Sequence, residues 1–243
     1  MPMMEGAGVE LHFEARGAGS PVLLIHGLAA DAAGFEAVVA GLSGRARTIV
    51  YDRRGYGASG APEPYTATTV AEQAQDAAAL LAGLGVERCL LVGVGFGALV
   101  GLDLIKRHPA RVAGAVLLDP LLFAFVPEAT EILSADRARL ERCLRERGPA
   151  DAVAEWLAGG VEGPAHARTR AAYRGVLADF AGLASWPVTR GELRRLPGPL
   201  VVLTGPDTPP HVRAAADALA RLAPAARRRD DGDLLAAVEE LLP

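Results

Sequence analysis

The stretch LLVGVGFGALVG, Leu90 to Gly101, reads as a buried strand that runs into a sharp glycine turn and then into a helix. Such a turn brings the first N–H groups of a helix to one point, where negative charge is favoured. Backbone donors of this kind suit a carbonyl oxygen or a developing oxyanion. Gly95, at the centre of the turn, has no side chain with which to attack anything. The groups able to move protons lie further along the chain. Asp207, in LTGPD, could act as a general base, accept a hydrogen bond from a ligand, or cap the Thr208-Pro209-Pro210 turn. His211 begins the following helix, where capping or surface polarity competes with a role beside Asp207. Asp119, in LLDP, could be a second acid or could cap the segment after Pro120. Gly93, Gly95 and Ala98 also satisfy a relaxed dinucleotide-binding spacing, with Asp119 about 20 positions on. That fingerprint normally opens the first βαβ unit, whereas this turn follows several predicted strands.

The elements that must position these residues alternate between strands and helices, as in a parallel sheet flanked by helices. VELHFEARG alternates like an edge strand, while PVLLIHG and RTIVYD read as buried strands with the short helix GFEAVVAGLSG between them. TVAEQAQDAAALLAGLG is a longer amphipathic helix with Thr69 as N-cap and Gly85 as its stop. RCLLVG, GALVGLDLIKRHP and VAGAVLLDP continue as strand, helix and strand. From Leu121 to about Arg195 helical periodicity takes over, in SADRARLERCLRERG, PADAVAEWLAGG and ARTRAAYRGVLADFAGL. Strand character returns at GPLVVLTGPD, followed by the helices PPHVRAAADALARLAP and DLLAAVEELL.

Four pieces in this order resemble the α/β-hydrolase superfamily, in its small branch with a helical cap. LLIHGLAADAAGF resembles the His-Gly loop, YDRRGYGASG the Asp-x-Arg-Gly-x-Gly-x-Ser turn, GVGFG the nucleophile elbow, and LTGPD the segment that carries the triad acid. The resemblance implies an α/β fold with a mostly parallel central sheet. It implies a core at 1–120 and 196–243 and a helical cap at 121–195. It places an oxyanion hole at the Leu28 and Phe96 N–H groups, with His26, Gly27 and Gly95 beside it. It also implies a serine at the centre of the elbow and a histidine between about Arg227 and Leu234. The chain has Gly95 at the first position and RRRDDGDL in the second. Of its five histidines, His12 falls in a strand, His26 in the His-Gly loop, His108 at a helix end, His166 in the cap and His211 after Asp207.

Covalent Ser-His-Asp catalysis needs a nucleophile, a base and an acid that orients the base. Two of the three are missing. The leading expectation is therefore a protein that binds a small, largely apolar carbonyl compound and promotes a non-hydrolytic, cofactor-independent cyclisation, elimination or isomerisation. The alternatives are a binding or scaffold protein without turnover, and hydrolysis by water beside Gly95 activated by Asp207 or His211. Phe123, Phe125, Trp156, Tyr173, Phe180 and Trp186 are read mostly as core of the cap, with the alternative that an apolar cap over the rim builds a small-molecule pocket.

Composition narrows the partners. A chain of 243 residues, 51% hydrophobic, can bury a substantial core. With a net charge of −4 and no basic stripe, nucleic acid is not an expected partner. Arg227, Arg228 and Arg229 read as solvated surface cancelled by Asp230, Asp231 and Asp233. Cys89 and Cys143 show no metal-binding or redox spacing, so reduced structural thiols, no metal and no cofactor are expected. No signal peptide and no run of roughly 18 apolar residues is visible. The expectation is a cytoplasmic protein without a membrane partner, compatible with a homo-oligomer.

Overall fold

A computed structural model describes residues 2–158, 163–183 and 185–243. In chain order the first half comprises β1 (Met3–Glu5), β2 (Glu10–Arg16), β3 (Ser20–Ile25), α1 (Glu36–Gly41), β4 (Ala46–Tyr51), α2 (Val70–Gly83), β5 (Cys89–Val94), α3 (Phe96–Arg107) and β6 (Val112–Leu118). The helical insertion follows with α4 (Ala129–Arg147), α5 (Pro149–Ala158), α6 (Pro164–Ala171), α7 (Tyr173–Leu183) and α8 (Arg190–Arg194). The chain returns to the sheet with β7 (Leu200–Leu203), α9 (Pro210–Leu222), β8 (Ala226–Arg229) and α10 (Leu234–Glu239).

Among the described residues the strands form one eight-stranded sheet in the order β1-β2-β4-β3-β5-β6-β7-β8. β1 and β2 are antiparallel to their neighbours and the remaining pairs are parallel. Alternation along the strands explains why both faces are apolar. Leu23, Ile25, Leu91 and Leu117 point into a core shared with α2, α3 and α9, while Val22, Leu24, Val92 and Val116 point into a second core with α1 and α10. α2 starts where Thr69 accepts from the Glu72 N–H and the Glu72 carboxylate accepts from the Thr69 N–H, a reciprocal cap.

Several elements differ from the sequence expectations. VELHFEARG is not an edge strand, because Met3–Glu5 pairs with it and takes the edge. The single helix expected over ARTRAAYRGVLADFAGL breaks at Ala172 into α6 and α7. After that turn Gly175 lies against the core: a Cβ there would sit 2.8 Å from the Gly55 carbonyl oxygen. The Gly159-Gly160 end of the α5 reading lies outside the described residues.

The arginine run is also not simply solvated surface. Arg227, Arg228 and Arg229 belong to β8, where charged side chains protect an exposed sheet edge. Their partners are mostly remote acids. Arg228 pairs with Asp217 at 2.8 Å, Arg227 with Glu240, and Arg229 with Asp231 at 2.6 Å and Glu240 at 3.1 Å.

Cys89 and Cys143 are buried and unbridged, and burial pushes the Cys89 thiol up to about 12. Among the described residues no helix is long and apolar enough to cross a membrane. Nor is there a cluster of three side chains suited to a metal ion among them.

Candidate functional site

β5 ends at Val94, and α3 begins at Phe96. The joint is Gly95, at φ +56° and ψ −115°, a conformation costly for any residue with a Cβ. Its N–H donates to the Leu118 carbonyl at 2.9 Å, which fastens the turn to β6. The flanking glycines are there for room. A Cβ on Gly97 would lie 2.2 Å from the Ile25 carbonyl oxygen, and one on Gly93 would lie 2.7 Å from that of Gly97. At Gly95 itself a Cβ would meet only the Gly27 Cα, at 3.8 Å. Of the turn's three glycines, Gly95 is therefore the one with space for a side chain.

The facing loop is held from behind. His26 is buried, and its Nε2 accepts from the Arg53 backbone N–H at 2.9 Å. A backbone N–H can only donate, so the proton is on Nδ1, which donates to the Gly27 carbonyl at 2.9 Å. Burial, followed by the Arg53 charge, holds the His26 pKa well below the ordinary histidine value of 6.5. The ring is neutral and both its nitrogens are committed.

Arg53 donates to the same Gly27 oxygen from Nη2, at 2.9 Å. Because the Gly27–Leu28 peptide is trans, fixing the carbonyl on the Arg53 side turns the Leu28 N–H the opposite way. Among the described residues neither the Leu28 N–H nor the Phe96 N–H donates to a protein group.

Arg53 is itself fully buried. Its Nη1 donates to Gln73 at 2.6 Å, and its Nη2 lies 2.7 Å from the Asp179 carboxylate. Asp179, on α7, also accepts from the Tyr56 hydroxyl at 2.7 Å and from Gln73 at 2.6 Å. Burial works against the Arg53 charge, but Asp179 outweighs it and raises the pKa above the ordinary arginine value. Burial and Asp179 likewise push the Tyr56 phenol well up, so it stays a hydrogen-bond donor. Neighbouring Asp52 accepts from the Ala32 and Ala58 N–H groups and pairs with His12 at 2.9 Å. Arg54 pairs with Asp76 at 2.6 Å.

The other half of the rim is different. Asp207 is exposed and makes no hydrogen bond among the described residues. Thr208, not Asp207, closes its turn: the Thr208 hydroxyl accepts from the Gly205 N–H at 2.8 Å and donates to Asp119 at 2.7 Å. Asp119 therefore receives a side chain rather than capping the segment after Pro120, and its backbone has φ +49°. His211 is half-buried on α9 with its ring 5.6 Å from that of Phe123, and it does not cap the helix. The loop from β8 to α10 is only Asp230–Asp233; the Gly232 N–H donates to Thr204, and Asp233 caps α10.

His26, Gly27, Leu28, Gly95 and Phe96 thus come together, whereas no hydrogen bond joins Asp207 or His211 to them or to each other. Surface recesses lie beside Arg16 and Ser43 and beside Ala150 and His166, away from this turn. Sequence reasoning missed Arg53, Gln73 and Asp179. The available signal was a lone carboxylate in the apolar run Val176-Leu177-Ala178-Asp179-Phe180, since a charge buried there requires a partner.

A strand–glycine turn–helix at the centre of a mostly parallel eight-stranded sheet, facing a His-Gly loop, defines a hydrolase-type scaffold. A family model described as alpha/beta hydrolase fold matches residues 20–147, more than half of the chain, and the chain belongs to that family. It is 34% identical over 115 residues to the uncharacterized hydrolase YraK of Bacillus subtilis (strain 168), covering 47% of this chain and 42% of that one. It is 32% identical over 152 residues to the 2-(acetamidomethylene)succinate hydrolase of Mesorhizobium japonicum, covering 62% and 52%. The matches thus span about half the length of these curated relatives. Among solved structures, a malate-bound thermophilic esterase from Thermogutta terrifontis superimposes with a TM-score of 0.78 at 27% identity, covering 99% of this chain and 97% of that one.

Proposed function

We propose that the chain binds a small carbonyl compound, with the ligand oxygen between the Leu28 and Phe96 N–H groups, and promotes a non-hydrolytic, cofactor-independent rearrangement. The observation that carries this reading is the Gly27–Leu28 peptide. Its carbonyl is clamped by Arg53 and His26, its N–H donates to no protein group among the described residues, and Gly27 lies against a turn whose conformation suits glycine and which offers no nucleophile. Preorganised donors of this kind stabilise a developing enolate by a few kcal/mol. α3 adds the positive end of its dipole. Covalent acyl transfer has no route here, because Gly95 offers no attacking atom and His26 is neutral with both nitrogens occupied. The helical insertion acts as the cap that shields the ligand. Esters and acetamides, named in the relatives above, carry the carbonyl this site would hold.

The test is incubation with a panel of small carbonyl metabolites, read by mass spectrometry before and after. The expected result is a retained or isomerised ligand whose binding is lost in Gly95→Leu, which fills the open side of the turn, and kept in Gly95→Ala. Products bearing an added water, or binding indifferent to Gly95→Leu, would overturn it.

A further inference from the structure

We infer that Arg53 and Asp179 are positioning residues for the Leu28 donor, so that helix α7 of the insertion sets the alignment of the ligand-oxygen site across the core. This rests on reading the Leu28 and Phe96 amides as that site. The two donors are built differently. The Phe96 N–H is part of α3 and is anchored by the elbow, whose Gly95 N–H bonds to β6. The Leu28 N–H lies in a loop outside any helix or strand; the Leu28 side chain packs against the core, and the hydrogen bonds that set the orientation of its peptide are those to the Gly27 carbonyl.

One of those bonds comes from His26, which belongs to the same loop and whose other nitrogen is tethered by the Arg53 backbone. The first restraint thus leans on the Arg53 backbone and the second runs through its guanidinium, which alone depends on Asp179. The Arg53 guanidinium in turn is fixed by Gln73 and by Asp179, at 2.6 and 2.7 Å, with its face against the rings of Tyr56 at 4.6 Å and Phe96 at 5.0 Å. Asp179 is the only carboxylate within salt-bridge distance of Arg53 among the described residues, and it comes from the insertion. Displacing α7 would take away the counter-charge that, with Gln73, holds the guanidinium on the Gly27 carbonyl. The Leu28 N–H would then lose its direction while Phe96 kept its own.

The test uses the full chain labelled with 15N, with acetate as the probe for a carbonyl-type oxygen. Removing one charge alone would leave the other buried and unpaired, so the main variant is Arg53→Gln with Asp179→Asn, which removes both. We expect this double variant to melt cooperatively. Its Leu28 amide order parameter should fall from about 0.85 toward 0.6, while that of Phe96 stays in the rigid range. Acetate affinity should weaken about tenfold, the order expected for one misaligned hydrogen bond.

Arg53→Lys, which keeps a positive charge for Asp179 but cannot reach Gln73, Asp179 and the Gly27 carbonyl together, should loosen Leu28 less but in the same direction, and it decides the matter if the double variant does not fold. A folded variant with a rigid Leu28 amide overturns the inference. A purely structural role would restore Leu28 along with the fold. If acetate shifts neither amide in the unaltered chain, the oxygen-site reading fails, and the Leu28 order parameters still decide whether Arg53 and Asp179 position it.

Discussion

The two halves of the sheet's rim are built in different ways. On the side of β3, β4 and β5 a buried network ties the loops together: His26, Arg53, Gln73, Asp179 and Tyr56 hydrogen-bond to one another and to the Gly27 carbonyl, with only the Arg53 Nε left without a partner among the described residues. On the side of β6, β7 and β8, Asp207 stands exposed, His211 rests against a phenylalanine, and the last loop is four residues, Asp230–Asp233, without a histidine. The first half presents backbone N–H groups held by a buried network, and the second presents side chains that no hydrogen bond ties to the elbow. The proposed reading, an oxygen held by backbone donors, draws on the first half alone.

The sharpest way to break the comparison is at its strongest point. Asp179→Ala leaves the Arg53 charge buried without its carboxylate. It should cost about 3–5 kcal/mol of stability, measured by urea unfolding. A loss below about 1 kcal/mol would mean that the network is decorative.

At the elbow the effect is smaller. Gly95→Ala has space for its methyl group but must adopt φ +56°, so about 1–3 kcal/mol should be lost in the same assay. Gly97→Ala should do worse than Gly95→Ala, because its Cβ collides with the Ile25 carbonyl.

Acidification probes the same half. Folding holds the His26 pKa well below 6.5, so below that pH the unfolded chain takes up a proton that the folded chain refuses. Stability therefore falls as pH drops through about 6.5, with a slope approaching about 1.4 kcal/mol per pH unit. His26→Gln should flatten that limb of a pH–melting series, even if it lowers stability overall. Least is expected from the half beside β6, β7 and β8: Asp207→Asn, at an exposed residue, should move stability by no more than about 0.5 kcal/mol.

Much of this layout was legible in the chain. Thr69 with Glu72 marks the start of α2, and short unbroken apolar runs mark β3, β5 and β6, because a cap and a strand buried on both faces are both visible in local sequence. β8 was not read as a strand at the arginine run: its pattern is three arginines whose partners Asp217 and Glu240 arrive from neighbouring helices. The site divides in the same way. Glycines that permit a sharp turn announce themselves by type and spacing. The Arg53–Asp179 pair joins residues from a core loop and from the insertion, and only the packing of α7 onto the core brings them together. Asp207 and His211 are neighbours in sequence yet make no hydrogen bond to each other, because α9 carries His211 toward Phe123.

On the proposed reading, the rim beside β3, β4 and β5 acts without a covalent nucleophile. Intact-protein mass spectrometry after exposure to an alkyl fluorophosphonate addresses it directly, on the unaltered chain and on Gly95→Ser. The unaltered chain should gain no adduct. Gly95→Ser should also remain essentially unlabelled and should turn over no activated ester, since a hydroxyl without a neighbouring base is a weak nucleophile at neutral pH. A stoichiometric adduct on the unaltered chain, at any serine, would contradict the account.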